Sequence, residues 1–179
     1  MHGNKLHILT GAPGSGKTAI LRQLGDGVDT VAEPAREVIA EQRAIGGTGT
    51  SEQDPARFLT LLLQRSIDKY RHATRSAAPL VLFDRGVPDC VAYATVSDVD
   101  PSPSVAAARR YRYHPTVMIL EPWERIYATD VERTMSFAET IPFHAALVEA
   151  YERAGYGLVA VPTGSVAERI AFVRDVLAR

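Results

Sequence analysis

Five short apolar runs divide the 179-residue chain, and each of them precedes a stretch with helical character. The runs span residues 6–10, 28–32, 80–83, 116–120 and 158–161. Continuous apolar runs, in contrast to alternating ones, are typical of parallel strands that are covered on both faces. Strands that alternate with helices build such a sheet. The pattern therefore predicts a three-layer α/β fold around a five-stranded parallel sheet.

Apolar residues also recur at helical spacing between and after these runs. They form three sets: Phe58, Leu62 and Tyr70; Phe143, Leu147, Ala150, Tyr151 and Ala154; and Val166, Ile170, Val173 and Leu177. Ser165 and Glu168 form a capping box before the last set. Residues 44–55 and 97–104 are interpreted as surface loops, the first long enough to be a mobile substrate loop. Neither loop separates two cores, so we expect one domain over residues 1–179.

Composition limits the classes of protein that the chain can represent. With a net charge of −1, the sequence has no basic field that favours nucleic acid, and residues 109–114 (RRYRYH) are interpreted as a helix end. The apolar runs are too short to cross a membrane, and the first run begins too early to leave room for a signal peptide. The single cysteine, Cys90, is expected to be a buried thiol in a cytoplasmic protein.

The stretch after the first run fits the phosphate-binding pattern G-x-x-x-x-G-K-[ST]. Its residues are Gly11, Ala12, Pro13, Gly14, Ser15, Gly16, Lys17 and Thr18. A strand should end at Thr10 and a helix should begin at Lys17, as this motif requires. The pattern predicts that backbone N–H groups surround the phosphates of ATP. Lys17 should reach the β- and γ-phosphates, with its ammonium group in solvent, and Thr18 should ligate Mg²⁺.

A second motif, LVLFDRG at residues 80–86, ends an apolar run with an acidic residue. Asp84 is expected at the carboxyl end of a strand beside the phosphate loop, where it would hold Mg²⁺. The alternative is that Asp84 caps the next helix. Arg85 is expected near the transferred phosphate, with an exposed loop arginine as the alternative.

Glu33 and Arg36 follow the second run in VAEPAREV and are the candidate acceptor-binding residues. Glu33 would orient an attacking hydroxyl or accept its proton. Alternatively, it is an acidic residue favoured by the dipole at the start of a helix, with Pro34 at the first helical position. Arg36 would bind the acceptor or lie in solvent.

The segment WERIYATDVERTMSF, residues 123–137, supplies two further arginines. Arg125 would bind nucleotide, and Arg133 would stabilise charge on the departing phosphoryl group, because a guanidinium can bridge two phosphate oxygens. The alternative for both is an exposed charged helix. We expect a lid over about residues 122–138.

The order of these motifs resembles that of the nucleoside and nucleotide kinases. VAEPAREV resembles the Glu-Pro element of deoxynucleoside kinases, whose glutamate binds the acceptor hydroxyl, and residues 123–137 resemble their arginine-bearing lid. Over nearly the whole length, the chain is most similar to small bacterial P-loop proteins labelled AAA-type ATPases, which are related to nicotinamide-riboside kinase domains. The resemblance implies the strand order 2-3-1-4-5 of nucleotide kinases. A guanine-reading motif of GTPases is missing, and the chain is too short for a hexameric AAA motor.

Together these features predict a phosphotransferase that moves the γ-phosphate of ATP·Mg²⁺ to a small hydroxylated metabolite, with a nucleoside as one candidate. The catalytic set would be Lys17, Glu33, Asp84, Arg85 and Arg133. The alternative is an ATPase that hydrolyses nucleotide and signals to a protein partner. We expect neither nucleic acid nor membrane as a partner, and the sequence leaves the oligomeric state open.

Overall fold

The computed structural model describes residues 5–25, 27–127 and 135–179. Strands and helices alternate along most of the chain. The strands are β1 (Leu6–Gly11), β2 (Asp29–Val31), β3 (Val81–Asp84), β4 (Thr116–Leu120) and β5 (Gly157–Val161). The helices are α1 (Lys17–Gln23), α2 (Pro34–Ala44), α3 (Pro55–Thr74), α4 (Asp89–Val96), α5 (Ser102–Arg110), α6 (Phe137–Arg153) and α7 (Val166–Leu177), with a short 3₁₀ helix at Glu124–Ile126.

The strands form one parallel sheet in the order β2-β3-β1-β4-β5. This order confirms the one implied by the resemblance to nucleotide kinases. In the register, Leu9 pairs with both Asp84 and Met118, so β1 lies at the centre between β3 and β4. The loops after β1, β3 and β4 therefore leave the same edge of the sheet, where open α/β sheets bind their ligands.

Hydrophobic side chains fill the space on both faces of the sheet, which gives the predicted three layers. On one face, Ile8 and Phe83 pack against residues of α3, α4, α5 and α6. On the other face, Leu9 and Leu82 pack against α1 and α7. Successive residues of a strand thus contact opposite helical layers, which explains why the strands read as continuous apolar runs.

Local signals account for several helix boundaries. Ser165 and Glu168 form the predicted capping box of α7, and Ser136 and Glu139 form another at the start of α6. The prediction of a loop over residues 97–104 was wrong at its end, because Pro101 precedes α5 and residues 102–104 are helical. Proline favours the start of a helix, where the missing N–H costs no hydrogen bond. In the described part of the chain, no helix combines the length and apolarity needed to span a membrane.

Candidate nucleotide and acceptor site

The phosphate loop connects the carboxyl end of β1 to the amino end of α1. Gly16 is the N-cap residue of α1, and no side chain caps the helix. The first backbone hydrogen bond runs from Ile20 N to Gly16 O at 3.4 Å. The N–H groups of the first helical residues therefore have no partner inside the helix. Such a terminus attracts anions, because the unpaired N–H groups and the helix dipole act in the same direction.

Lys17 lies against this loop, and our expectation that its ammonium group lies in solvent was wrong. The residue is 6% exposed, and Nζ donates to the carbonyl oxygens of Gly11 at 2.8 Å and Ala12 at 3.3 Å. Burial and the nearby Arg85 lower the pKa of Lys17 to about 8, although neighbouring carboxylates raise it. The ammonium group is thus desolvated and positioned at the loop before a ligand arrives.

Asp84 ends β3 next to the phosphate loop. It does not cap a helix, because α4 begins at Asp89 and its N-cap residue is Pro88. Its Oδ1 atom is buried without a hydrogen-bond partner among the described residues. Burial raises the pKa of Asp84 to about 6, against the lowering effect of Lys17. A carboxylate oxygen without a partner fits a cation.

A site for Mg²⁺ would rest on few protein ligands. Thr18 lies in the first turn of α1 and, like Lys17, lines the cleft at the loop. In the described ranges, no group of three or more His, Cys, Asp or Glu residues is arranged to hold a metal ion. Mg²⁺ is commonly held by one or two protein ligands together with substrate phosphates and water. Thr18 and Asp84 fit that requirement.

Glu33 lies at the N-cap position of α2, but its side chain makes no cap hydrogen bond. Instead, Oε1 accepts from Arg85 Nε at 2.7 Å and Oε2 accepts from Arg36 Nε at 3.1 Å. Burial alone would raise the pKa of Glu33, but Arg85, Lys17 and Arg36 outweigh it and lower the pKa to about 2. Glu33 is therefore a carboxylate held between two guanidinium groups, with little tendency to take up a proton.

Arg85 is a buried part of the site, so the alternative of an exposed loop arginine was wrong. It is 3% exposed and has a φ of 74°. A left-handed conformation is costly for a residue with a side chain and often marks a functional site. The guanidinium carbon lies 5.7 Å from the ring centres of both Tyr93 and Phe143. Packing and ion pairs thus hold Arg85 in a strained backbone conformation.

Asp89 was missed by the sequence analysis although it lies at the centre of this network. Its Oδ1 accepts from Arg85 Nη1 at 3.0 Å and from Thr10 Oγ1 at 2.7 Å. Its Oδ2 accepts from Gly86 N at 3.0 Å and from the hydroxyl of Tyr151. One buried carboxylate therefore joins the end of β1, the loop after β3 and α6, and fixes Arg85. The only available sequence signal was its position five residues after Asp84.

A cleft opens beside the phosphate loop, and Lys17, Glu33 and Arg85 line it together. Its other walls are mainly apolar and aromatic: Ala35, Ile39, Phe58, Tyr93 and Met135. Ser51 and Glu52 close another side. They belong to the 44–55 loop, which is held by a hydrogen bond from Gly49 N to Gln42 Oε1 at 3.1 Å. The loop expected to contact substrate thus lines the cleft.

The predicted lid is only partly within the described residues. Arg125 lies exposed in the 3₁₀ helix and is not among the residues that line the cleft, whereas Arg133 lies outside the described residues. Tyr127 covers Gly14, where a Cβ atom would lie 2.5 Å from the ring. The Tyr127 hydroxyl donates to the carbonyl oxygen of Met135. The segment that follows β4 therefore contacts the phosphate loop directly.

The sheet order and the phosphate loop define a P-loop protein with a kinase-like fold. A family model described as an AAA domain matches residues 6–169, so the chain belongs to this family of AAA domains. This membership confirms the resemblance found in the sequence. Curated protein sequences gave no significant match.

Solved structures of the NadR protein and of two kinases share the fold. The NadR protein in complex with NR has a TM-score of 0.71 and 17% identity over 99% of this chain, which spans 52% of the NadR chain. Thymidylate kinase from Ehrlichia chaffeensis has a TM-score of 0.62 and 16% identity, with 99% of this chain and 100% of that chain covered. Shikimate kinase from Acinetobacter baumannii in complex with shikimate has a TM-score of 0.58 and 15% identity, with 99% and 94% covered. At these identities, the likeness shows the fold alone.

Proposed function

We propose that the protein is a phosphotransferase that moves the γ-phosphate of ATP to a hydroxyl group of a small metabolite. One observation carries the proposal: the phosphate loop shares its cleft with a second, differently built wall that centres on Glu33. A protein that only hydrolyses ATP has no need for an acceptor wall, whereas a kinase must hold a hydroxyl in line with the γ-phosphate.

On the nucleotide side, Lys17 and the N–H groups of the loop would bind the phosphate oxygens. Thr18 and Asp84 would hold Mg²⁺, which supplies positive charge against the β- and γ-phosphates. Arg125 and Arg133 from the proposed lid would stabilise charge as the phosphoryl group moves, whereas Arg85, which is paired with Glu33 and Asp89, would position Glu33. The oxygen of the acceptor hydroxyl would form the new bond to the γ-phosphorus as the bond from this phosphorus to the β,γ-bridging oxygen breaks. ADP would leave with the bridging oxygen, and the hydroxyl proton would pass to water.

On the acceptor side, Glu33 would accept a hydrogen bond from the attacking hydroxyl and thereby orient it. A pKa of about 2 makes Glu33 a weak base, so orientation is the role that its chemistry favours. Both of its arginine partners are already neutralised, which disfavours an acceptor that carries a phosphate. Phe58 and Tyr93 offer flat apolar surface, so a nucleoside or another uncharged, ring-containing alcohol is the acceptor class that we propose.

A screen for nucleotide-dependent transfer tests the proposal. ATP consumption would be measured with Mg²⁺ and with individual nucleosides, their 5′-monophosphates, sugars and vitamin precursors, and products would be identified by mass spectrometry. At least one unphosphorylated alcohol should raise ATP consumption above the basal rate and gain a phosphate. If none does so, and consumption stays at the basal rate throughout, the regulatory ATPase becomes the better explanation.

The Glu33→Gln variant separates the two functions once an acceptor is known. Glutamine retains the shape but loses the charge that binds Arg85 and Arg36, so the hydroxyl would be misplaced and transfer should fall by about 10²-fold. Basal hydrolysis should change little, because it depends on Lys17 and Asp84. Glu37→Gln, on the same helix but in an ion pair with Arg65 and Lys69, is the matched control. A parallel loss of hydrolysis and transfer in Glu33→Gln would mean that Glu33 activates water.

A further inference from the structure

A buried arginine from the last helix lies against the phosphate loop. Arg169, in the first turn of α7, is 4% exposed and donates from Nη2 to the carbonyl oxygen of Ser15 at 2.7 Å. Its guanidinium carbon also lies 5.8 Å from the centre of the Trp123 ring. The contact connects the loop to a residue 154 positions later in the chain and to the segment that follows β4.

Within the described residues, the charge of Arg169 is not paired with a carboxylate. In residues 5–25, 27–127 and 135–179, no carboxylate forms an ion pair with Arg169, and its buried Nε has no hydrogen-bond partner. Burial lowers the pKa of Arg169, yet a guanidinium remains protonated in proteins. A buried cation without a counter-charge is costly, unless a ligand supplies the negative charge.

The geometry of one peptide group connects this charge to the inside of the loop. The carbonyl oxygen of Ser15 and the N–H of Gly16 belong to the same trans peptide, so they point in opposite directions. Because Arg169 lies on the carbonyl side, the N–H of Gly16 points away from Arg169. Among the described residues, no group accepts a hydrogen bond from this N–H, and Gly16 lines the cleft beside Lys17.

The approach of Arg169 is close enough to fix the loop. A Cβ atom on Gly16 would lie 2.6 Å from Nη1 of Arg169, so a side chain at this position would displace the guanidinium. A donor on the carbonyl oxygen also polarises the peptide and makes its N–H a stronger donor. The arginine therefore acts on both the position and the hydrogen-bonding strength of the Gly16 N–H.

We infer that Arg169 is a second cation of the nucleotide site, which acts from behind the phosphate loop through the Ser15–Gly16 peptide. Arg169 is a positioning residue, because it acts on the phosphates through the peptide that it holds. It also gives this buried positive charge, which forms no ion pair among the described residues, a source of negative charge in the phosphates of the nucleotide. The inference rests on the nucleotide-binding part of the proposed function and does not depend on the acceptor.

Calorimetry with ATP, ADP, adenosine and inorganic triphosphate tests this role. Arg169→Met retains the length of the side chain and removes its charge and donors. The affinity for ATP and for inorganic triphosphate should fall about 10- to 100-fold, as expected for the loss of a charge-assisted hydrogen bond. ADP should lose less affinity, and adenosine should lose none. Arg169→Lys should recover part of the loss, because it restores the charge.

Arg174→Met is the matched control. Arg174 also belongs to α7 and donates to a backbone carbonyl near α1, from Nε to Leu24 O at 3.2 Å, but it lies away from the phosphate loop. This variant should bind all four ligands like the wild type. Thermal unfolding without ligand should show that Arg169→Met is folded, since it loses an uncompensated buried charge.

Three results would overturn the inference. One is an unchanged triphosphate affinity in Arg169→Met. Another is a loss for ATP without a loss for inorganic triphosphate, which would mean that Arg169 serves the base. The third is an equal loss of triphosphate affinity in Arg169→Lys and Arg169→Met, which would mean that the Arg169 side chain acts only by packing and not by its charge. A wild-type protein that binds ATP but phosphorylates no acceptor would contradict the transfer reaction and leave this inference standing.

Discussion

The two walls of the cleft use positive charge in opposite ways. The nucleotide wall is the phosphate loop with Lys17, and Arg169 lies behind this loop. Both cations donate to backbone carbonyl groups, and within the described residues neither forms an ion pair. On the acceptor wall, Arg85 binds both Glu33 and Asp89, and Arg36 binds Glu33. Within the described residues, one wall therefore carries cations that form no ion pair, whereas the other carries cations that are paired with carboxylates.

This difference indicates which ligand each wall can stabilise. Buried cations without an ion pair gain most from a polyanion, because the attraction offsets the cost of their desolvation. A balanced ion network gains little from a further charge, but it fixes the directions of its carboxylate oxygens and can orient a neutral hydroxyl. The contrast predicts that changes on the nucleotide wall alter ATP affinity, whereas changes on the acceptor wall alter stability and transfer.

The largest expected effect is on the nucleotide wall. Lys17→Met retains most of the side-chain stem and removes the ammonium group, so ATP affinity should fall by about 10²- to 10⁴-fold, the value of one or two charge-assisted hydrogen bonds. The unfolding free energy without ligand should change little, since a desolvated charge is lost together with its hydrogen bonds. Calorimetry and denaturant unfolding measure the two quantities. An ATP affinity equal to that of the wild type would mean that Lys17 does not contribute to nucleotide binding.

The sequence predicted those parts of the site whose residues are neighbours along the chain, and it missed those that depend on contacts between residues far apart in sequence. The phosphate loop was recognised because its glycines, Lys17 and Thr18 follow one another and act through local backbone geometry. Asp84 was found for a similar reason, since it ends an apolar run. Asp89 and Arg169 were missed, because their roles depend on contacts with Tyr151 and with Ser15 that only the packed helices create.

The same limit explains the error about Lys17. A lysine in the first turn of a helix is normally exposed, and its sequence context contains no signal for burial. The structure buries it, because Nζ turns back to the carbonyl groups of Gly11 and Ala12. In contrast, the strand order was predicted from the order of motifs along the whole chain, which is the kind of information a family resemblance carries.

On the acceptor wall, Asp89→Asn should act mainly on stability. The substitution leaves Arg85 buried with only one carboxylate and places an amide donor near other donors, so the free energy of unfolding should fall by about 3–5 kcal/mol. The folded variant should bind ATP with nearly wild-type affinity. Tyr151→Phe, which removes one hydroxyl donor from the same carboxylate, should cost about 1 kcal/mol.

Denaturant unfolding and calorimetry check both variants. A loss of ATP affinity in Asp89→Asn as large as that in Lys17→Met would mean that the two walls do not act separately. A stability as high as that of the wild type would mean that the ion network contributes nothing to the fold.

His7 lies near the amino end of β1, away from the phosphate loop, and its buried imidazole is kept neutral. The ring of His7 stacks on that of His114, with centres 4.3 Å apart, and burial together with His114 lowers the pKa of His7 from 6.5 to about 4. The unfolded chain thus binds the proton more tightly between these values, so stability is complete above about pH 6.5 and falls as the pH drops towards 4. The loss amounts to about 3 kcal/mol at most.

Unfolding free energies measured from pH 7.5 to pH 4 check this dependence. His7→Gln should remove the part of the slope that His7 causes. His114→Gln should retain most of it, because burial is the larger cause of the shift. A slope that is the same in His7→Gln and in the wild type would mean that other groups cause the acid sensitivity.

The smallest effect is expected at Arg36, the more exposed of the two arginines that flank Glu33. Its side chain is 35% exposed, compared with 3% for Arg85, so solvent screens its ion pair and Arg36→Gln should cost less than about 1 kcal/mol of stability. Glu33 would still be held by Arg85, but its second oxygen would be free to turn. The KM for the acceptor should therefore rise by only a few-fold, while kcat and ATP affinity stay close to the wild type.

Arg65→Gln, which breaks surface ion pairs with Glu37 and Glu41, is the control with a similar effect on stability and no effect on the KM for the acceptor. If Arg36→Gln instead weakens ATP binding, the positive charge of Arg36 contributes to phosphate binding, and Arg36 belongs to the nucleotide wall and not to the acceptor wall.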